Sequence, residues 1–183
     1  MAKAVVLDAC VLVPISLCDV LLELADAALF RPLWSQTILD EARRTLIGRI
    51  GMPVDRADKR INDMREAFPA SMLTGFNDLV PVMRNHPKDR HVAAAAAKAN
   101  CDVVTVNLRD FKPEDLSPFD IRAVDPDTFL CALFDEDPET AYRAVDRKRA
   151  SYRHPPRTMA GFSTGLGKLV PTFAKRLLET GPA

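Results

Sequence analysis

The sequence has no apolar run approaching the ~18 residues of a membrane-spanning helix. Its first hydrophobic stretch is cut by Asp8, unlike the core of a signal peptide. These absences predict a soluble cytoplasmic protein with no membrane partner. Cys10, Cys18, Cys101 and Cys131 form neither a CxxC pair nor the spacing of a disulfide scaffold. That argues against a zinc site and predicts reduced thiols. Apart from the alanine run Ala93 to Ala97 there is no low-complexity tract, and no internal repeat. Net charge is also missing, with 25 Lys and Arg against 25 Asp and Glu. The charge is nevertheless uneven. Residues 139–183 carry nine basic side chains against three acidic ones, leaving sixteen against twenty-two in residues 1–138. A basic tail on an acidic body suits nucleic acid or an acidic partner, or simply a solvated helical face.

The chain does contain two α/β units. In His86 to Phe111, Lys88 to Ala99 reads as a helix whose small apolar face, Val92 and the alanines, admits a close backbone layer. Asn100 suits its end, and Asp102 to Val106 follows as a buried β-branched strand. Asp89 falls in the first turn of the helix, where backbone N–H groups and the helix dipole favour an anion. Asp110 follows the strand. Near the N-terminus, Ala4 to Leu7 reads as a strand ending at Asp8, and Leu17 to Leu29 as a helix. If the two strands are neighbours, Asp8 and Asp110 share the crevice at the strands' carboxyl ends, where open parallel sheets bind ligands, within reach of Asp89. Three carboxylates with no fixed cation raise one another's pKa. Hard oxygen donors of this kind suit Mg2+ or Mn2+.

Elsewhere, Arg31-Pro32-Leu33-Trp34 interrupts the helical pattern. Ser35 then caps a helix from Gln36 to about Ile50, with Ile38, Leu39, Ala42, Leu46 and Ile50 on its buried face and Glu41 at the edge of that face. Arg43 and Arg44 read as surface charge. Asp55 to Phe68 is a charged helix striped by Ile61, Met64 and Phe68, and Pro81 limits the segment Phe76 to Met83. Ile121 to Val124 is a last short strand. From Asp127 the pattern is helical: Thr128 to Phe134, Pro138 to about Arg153 before Pro155-Pro156, a loop or short helix from Thr158 to Gly167, and Leu169 to Leu178. The 183 residues allow one sizeable core and a small appendage. Helices alternating with strands favour an α/β fold with a parallel sheet at residues 1–125, with a helical C-terminal extension at 126–183.

With VVLDAC at a strand end, an acid within the second main helix, DRHVAAAA, and TVNLRDF, the chain resembles the PIN-domain ribonucleases, in particular the VapC-type toxins of toxin-antitoxin pairs. The resemblance covers about residues 4–130; the C-terminal helices are similar to an extension carried by one VapC subgroup. It implies a PIN-like α/β/α sandwich and a metal-dependent ribonuclease whose acids are Asp8, Glu41, Asp89 and Asp110. Asp8, Asp89 and Asp110 would hold Mg2+ or Mn2+, with Glu41 a further ligand or proton acceptor. Thr105 and Asn107 occupy places where the family often has polar residues near the metal. The resemblance also implies RNA as substrate, a cognate antitoxin and a homodimer. Arg90, Arg109 and the basic tail are candidates for gripping RNA.

Two residues after Asp8 the family often has Asn, Ser or Thr, whereas this chain has Cys10. A thiol is a weak donor, so Cys10 reads as a small buried hydrophobe. His91 reads as a packing or capping residue. A haloacid-dehalogenase-like phosphatase would need a second Asp at position 10. A housekeeping RNA-processing nuclease and a non-catalytic nucleic-acid-binding module with a degenerate acid site stay open as alternatives.

Overall fold

The computed structural model describes residues 3–152 and 157–180. Strand β1 (Lys3–Leu7) leads into the single turn α1 (Ala9–Leu12) and the helix α2 (Ile15–Asp26). Then come β2 (Phe30–Ser35), α3 (Gln36–Gly48), α4 (Val54–Ala67) and the two-residue β3 (Met72–Leu73). Short 3-10 turns lead to α5 (Arg90–Ala99), β4 (Asp102–Val104), α6 (Pro113–Leu116) and β5 (Ala123–Val124). Four helices complete the chain: α7 (Pro126–Glu136), α8 (Pro138–Ser151), α9 (Met159–Leu166) and α10 (Pro171–Thr180). The expected Pro155-Pro156 break, and a helix end at Arg153, lie outside the described residues.

The five strands form one all-parallel sheet in the order β3-β2-β1-β4-β5, flanked by helices. The fold is the expected α/β class. β1 is central, with Val5, Val6 and Leu7 fully buried and Val5 and Val6 paired on both sides. Helix α5 packs across β1, β2 and β4. It can do so because Ala93, Ala94, Ala95 and Ala96 present almost no bulk and are wholly buried. Asn100 ends it in the left-handed conformation at φ 49°, which Asn tolerates better than most residues.

Several expectations need correcting. Arg31 to Trp34 does interrupt the helical pattern, but as the body of a strand, β2, that the sequence did not announce. Pro32 fits because β3 reaches only Trp34 and Ser35, so the strand has a neighbour on one side only at that point. Helix α3 stops at Gly48, and Ile50, expected on its buried face, is instead 54% exposed. Strand β4 stops at Val104, which leaves Val106 47% exposed. Asp89 is the N-cap of α5, one step before the first turn, and its carboxylate makes no cap hydrogen bond.

The C-terminal helices share the main core through Phe129, Leu133, Val145, Phe162, Phe173 and Leu177. Phe129 meets Phe30 edge to face at 5.0 Å. Part of the tail's positive charge is paired within the molecule. Arg147 pairs with Glu23 and Asp26, Lys148 with Asp19, Arg149 with Asp146 and Arg176 with Asp135. Asp127 accepts the N–H groups of Thr172 and Phe173, which fixes the start of α10 against α7. No described helix is long and apolar enough to cross a membrane.

Candidate active site

Strand order reverses at β1, so the crevice of a parallel sheet opens between the carboxyl ends of β1 and β4. Asp8 immediately follows β1, and its N–H donates to Val104 O of β4 at 3.1 Å. The side chain is only 3% exposed and held by two donors. Thr105 Oγ1 donates to Asp8 Oδ2 at 2.7 Å and Cys10 Sγ to the same oxygen at 2.9 Å. Thr105 Oγ1 in turn accepts the N–H of Asn107 at 3.0 Å, and Cys10 Sγ that of Val106 at 3.3 Å. Each side chain thus relays the turn after β4 to the carboxylate after β1. Cys10 is therefore no bland hydrophobe. Burial, then the Asp8 charge and hydrogen bond, push its thiol up to about 12, so it stays a neutral donor and is no nucleophile.

The crevice, about 920 Å³, is lined by Asp8, Cys10, Glu41, Asp89 and Asn107 together with Arg44, Arg49, Lys88, Ile50, Val106 and Leu169. Glu41 enters from α3, as its place at the edge of that helix's buried face suggested. His91 Nε2 stands 3.3 Å from Glu41 Oε2, off the line of a hydrogen bond. Burial opposes charging this imidazole, but Glu41 outweighs it and the pKa is raised. Burial, then the charges of Asp8 and Asp110, and also Glu41, push Asp89 up to about 6, against a partial offset from His86. Asp110 is not among the residues lining the crevice. Its backbone carbonyl accepts the His86 N–H at 3.2 Å, which ties its turn to the segment bearing Asp89.

Among the described residues no Lys or Arg pairs with Asp8, Glu41 or Asp89. Arg44, Arg49 and Lys88 also line the crevice and have no carboxylate partner among the described residues, although Arg44 Nε donates to the Asp40 carbonyl at 3.3 Å. In the sequence Arg44 reads as surface charge and no local pattern marks Arg49 or Lys88; only their place on the crevice rim distinguishes them. Arg90 is half-buried, with Nε donating to Asn85 O at 3.3 Å. Arg109 is 88% exposed beside Asp110. Neither lines the crevice.

Oxygen donors dominate the site, and Asp8 Oδ2 takes both hydrogen bonds while Oδ1 has no partner among the described residues. That chemistry fits a hard divalent cation. As they lie, no three His, Cys, Asp or Glu side chains among the described residues are arranged to hold an ion.

Residues 126–179 match the family described as the VapC50 C-terminal domain. A Mycobacterium tuberculosis protein named "Putative ribonuclease VapC50" is 38% identical over 144 residues, spanning 76% of this chain and 83% of its own length. No solved structure matches. At that identity and over that share of both proteins, the chain belongs to the VapC family.

Proposed function

We propose that this protein is a Mg2+- or Mn2+-dependent ribonuclease and the toxin of a toxin-antitoxin pair, acting on RNA in the cytoplasm. One observation carries the reading: Asp8, Glu41 and Asp89 line one crevice together with Arg44, Arg49 and Lys88, and among the described residues no Lys or Arg is paired to the three acids. The ribonuclease name of the Mycobacterium tuberculosis relative supports the reaction class.

Asp8, Asp89 and Asp110 are the residues that would hold the ion, Asp110 standing on a turn whose carbonyl is bonded to the segment bearing Asp89. When bound, the ion supplies an acidified water and offsets the charge that builds on the phosphate. Thr105 and Cys10 keep the Asp8 carboxylate from turning away, and Asn107 keeps the Thr105 hydroxyl free to donate. Glu41 accepts a proton from water at the crevice edge. His91, whose charged form Glu41 favours, fixes that carboxylate. Arg44, Arg49 and Lys88 bind phosphates on either side of the cut, with Arg90 and Arg109 at the flanks. The antitoxin would silence such a site by placing an Arg or Lys between Asp8 and Asp89, and the protein would act as a homodimer. Incubating the purified protein with a mixed RNA pool, with and without Mg2+ or Mn2+, and mapping the cut ends tests the reading. Defined ends only with metal are expected; an intact pool under every condition would overturn it.

A further inference from the structure

We propose that the C-terminal extension completes the RNA crevice, with Leu169 forming, together with Ile50 and Val106, an aliphatic lip that takes an unstacked base of single-stranded RNA. This rests on the ribonuclease reading. Three exposed aliphatic side chains line one crevice: Ile50 at 54%, Val106 at 47% and Leu169 at 38% exposure. Single exposed aliphatics need no explanation. Here the three come from separate parts of the chain: after α3, after β4, and between α9 and α10.

Leu169 is held there and is not merely loose. Its neighbours Leu166 and Val170 are fully buried. Leu169 N and Val170 N both donate to Leu166 O, at 3.0 and 3.1 Å. The turn is so tight that a Cβ on Gly167 would stand 3.1 Å from Ser163 O. The extension thus spends a rigid connection on presenting one leucine to solvent beside the acids.

The occupant follows from what surrounds the lip. Arg44, Arg49 and Lys88 on the same rim, with no carboxylate partner among the described residues, suit a polyanion. A duplex keeps its bases stacked inside and offers aliphatic side chains little, whereas a single strand offers base faces between its phosphates. Phosphates on the cations and a base against the lip would run the strand across Asp8 and Asp89.

The test uses a fluorescein-labelled, mixed-sequence 12-nucleotide RNA and a duplex of equal length. Binding is read by anisotropy in chelator with the full chain carrying Asp89→Asn, which removes one repelling charge. Adding Leu169→Ala should weaken single-strand binding by about 5- to 10-fold while duplex binding and the salt slope stay unchanged. Arg49→Ala should instead lower that slope by about one. Leu169→Phe should bind the single strand at least as tightly as Leu. In cleavage by the otherwise unaltered protein with Mg2+, Leu169→Ala should raise KM and leave kcat alone. Unchanged single-strand affinity in both Leu169 variants, with cleavage intact, would overturn the lip but not the nuclease, and would assign this surface to a protein partner. Absence of both RNA binding and cleavage in the parent would overturn both.

Discussion

Two partly buried aspartates in this molecule, Asp19 and Asp89, are treated in opposite ways. Asp19, on α2, accepts from Tyr152 Oη at 2.6 Å and from Arg60 Nη1 at 3.2 Å, and Lys148 Nζ stands 3.4 Å away. Among the described residues Asp89 has only His86 Nδ1, at 3.8 Å, as an ion-pair partner, and it feels the like charges of Asp8, Asp110 and Glu41. Asp19 is a latch: its partners Lys148 and Tyr152 belong to the extension, so one carboxylate ties α8 and its end to the body. Asp89 is left uncompensated, which costs stability and keeps an anionic cluster ready for a cation. A charge that folding has satisfied is structural, whereas one that folding leaves strained points to function.

Neutralising each aspartate should therefore have opposite consequences. Asp89→Asn should lower cleavage by at least about two orders of magnitude, the scale expected for losing a metal ligand, and should leave the metal-free fold as stable as the parent or more so. RNA cleavage rates and urea unfolding of both proteins check this. Asp19→Ala should destabilise by about 2–4 kcal/mol, because it strands Arg60 and Lys148 without their anion. At a temperature where it remains folded, its cleavage should match the parent; a large loss of activity at full stability would blur the contrast.

The hydrogen bonds to Asp8 offer a finer test. Thr105→Val removes the 2.7 Å bond and strands the Asn107 N–H, so cleavage should fall by about tenfold. Cys10→Ala should cost a few-fold, and Cys10→Ser, which restores a donor, should recover most of it. Equal activity of the Ser and Ala variants would show that the thiol contributes only volume.

The smallest effect is in pH. The Asp89 carboxyl is raised from an ordinary 3.8 to about 6 in the fold, so the native state holds this proton more tightly than the unfolded chain. Without metal, stability should fall as pH rises through that window. The fall should be absent in Asp89→Asn, as read from melting temperatures between pH 4 and pH 7.

How far these regions could be read from the sequence follows from locality. The alanine face of α5, the Asn100 cap and the Ser35 cap, which accepts Ile38 N–H at 3.2 Å, are local patterns and were legible. β2 was not, because Pro32 signals a break unless one knows that its neighbour β3 is too short to reach it. The acids stood at strand and helix ends where topology alone could assemble them. The cations around them, the Cys10 thiol's bond to Asp8 and the reach of Leu169 into the crevice depend on packing between segments far apart in sequence. The basic tail shows the same limit: its charge pattern was legible, but the pairing of Arg147 and Lys148 with acids of α2 was not.

The contrast between Asp89 and Asp19 is tested most directly by the melting-temperature shift that Mg2+ or Mn2+ produces in the parent, Asp89→Asn and Asp19→Asn proteins. A cation that binds only the folded crevice should raise the parent's melting temperature with increasing concentration. Asp19→Asn should start lower yet show the same shift, while Asp89→Asn should start at or above the parent and lose most of it. An undiminished shift in Asp89→Asn, or no shift in the parent, would contradict the assignment of this acid cluster to a cation.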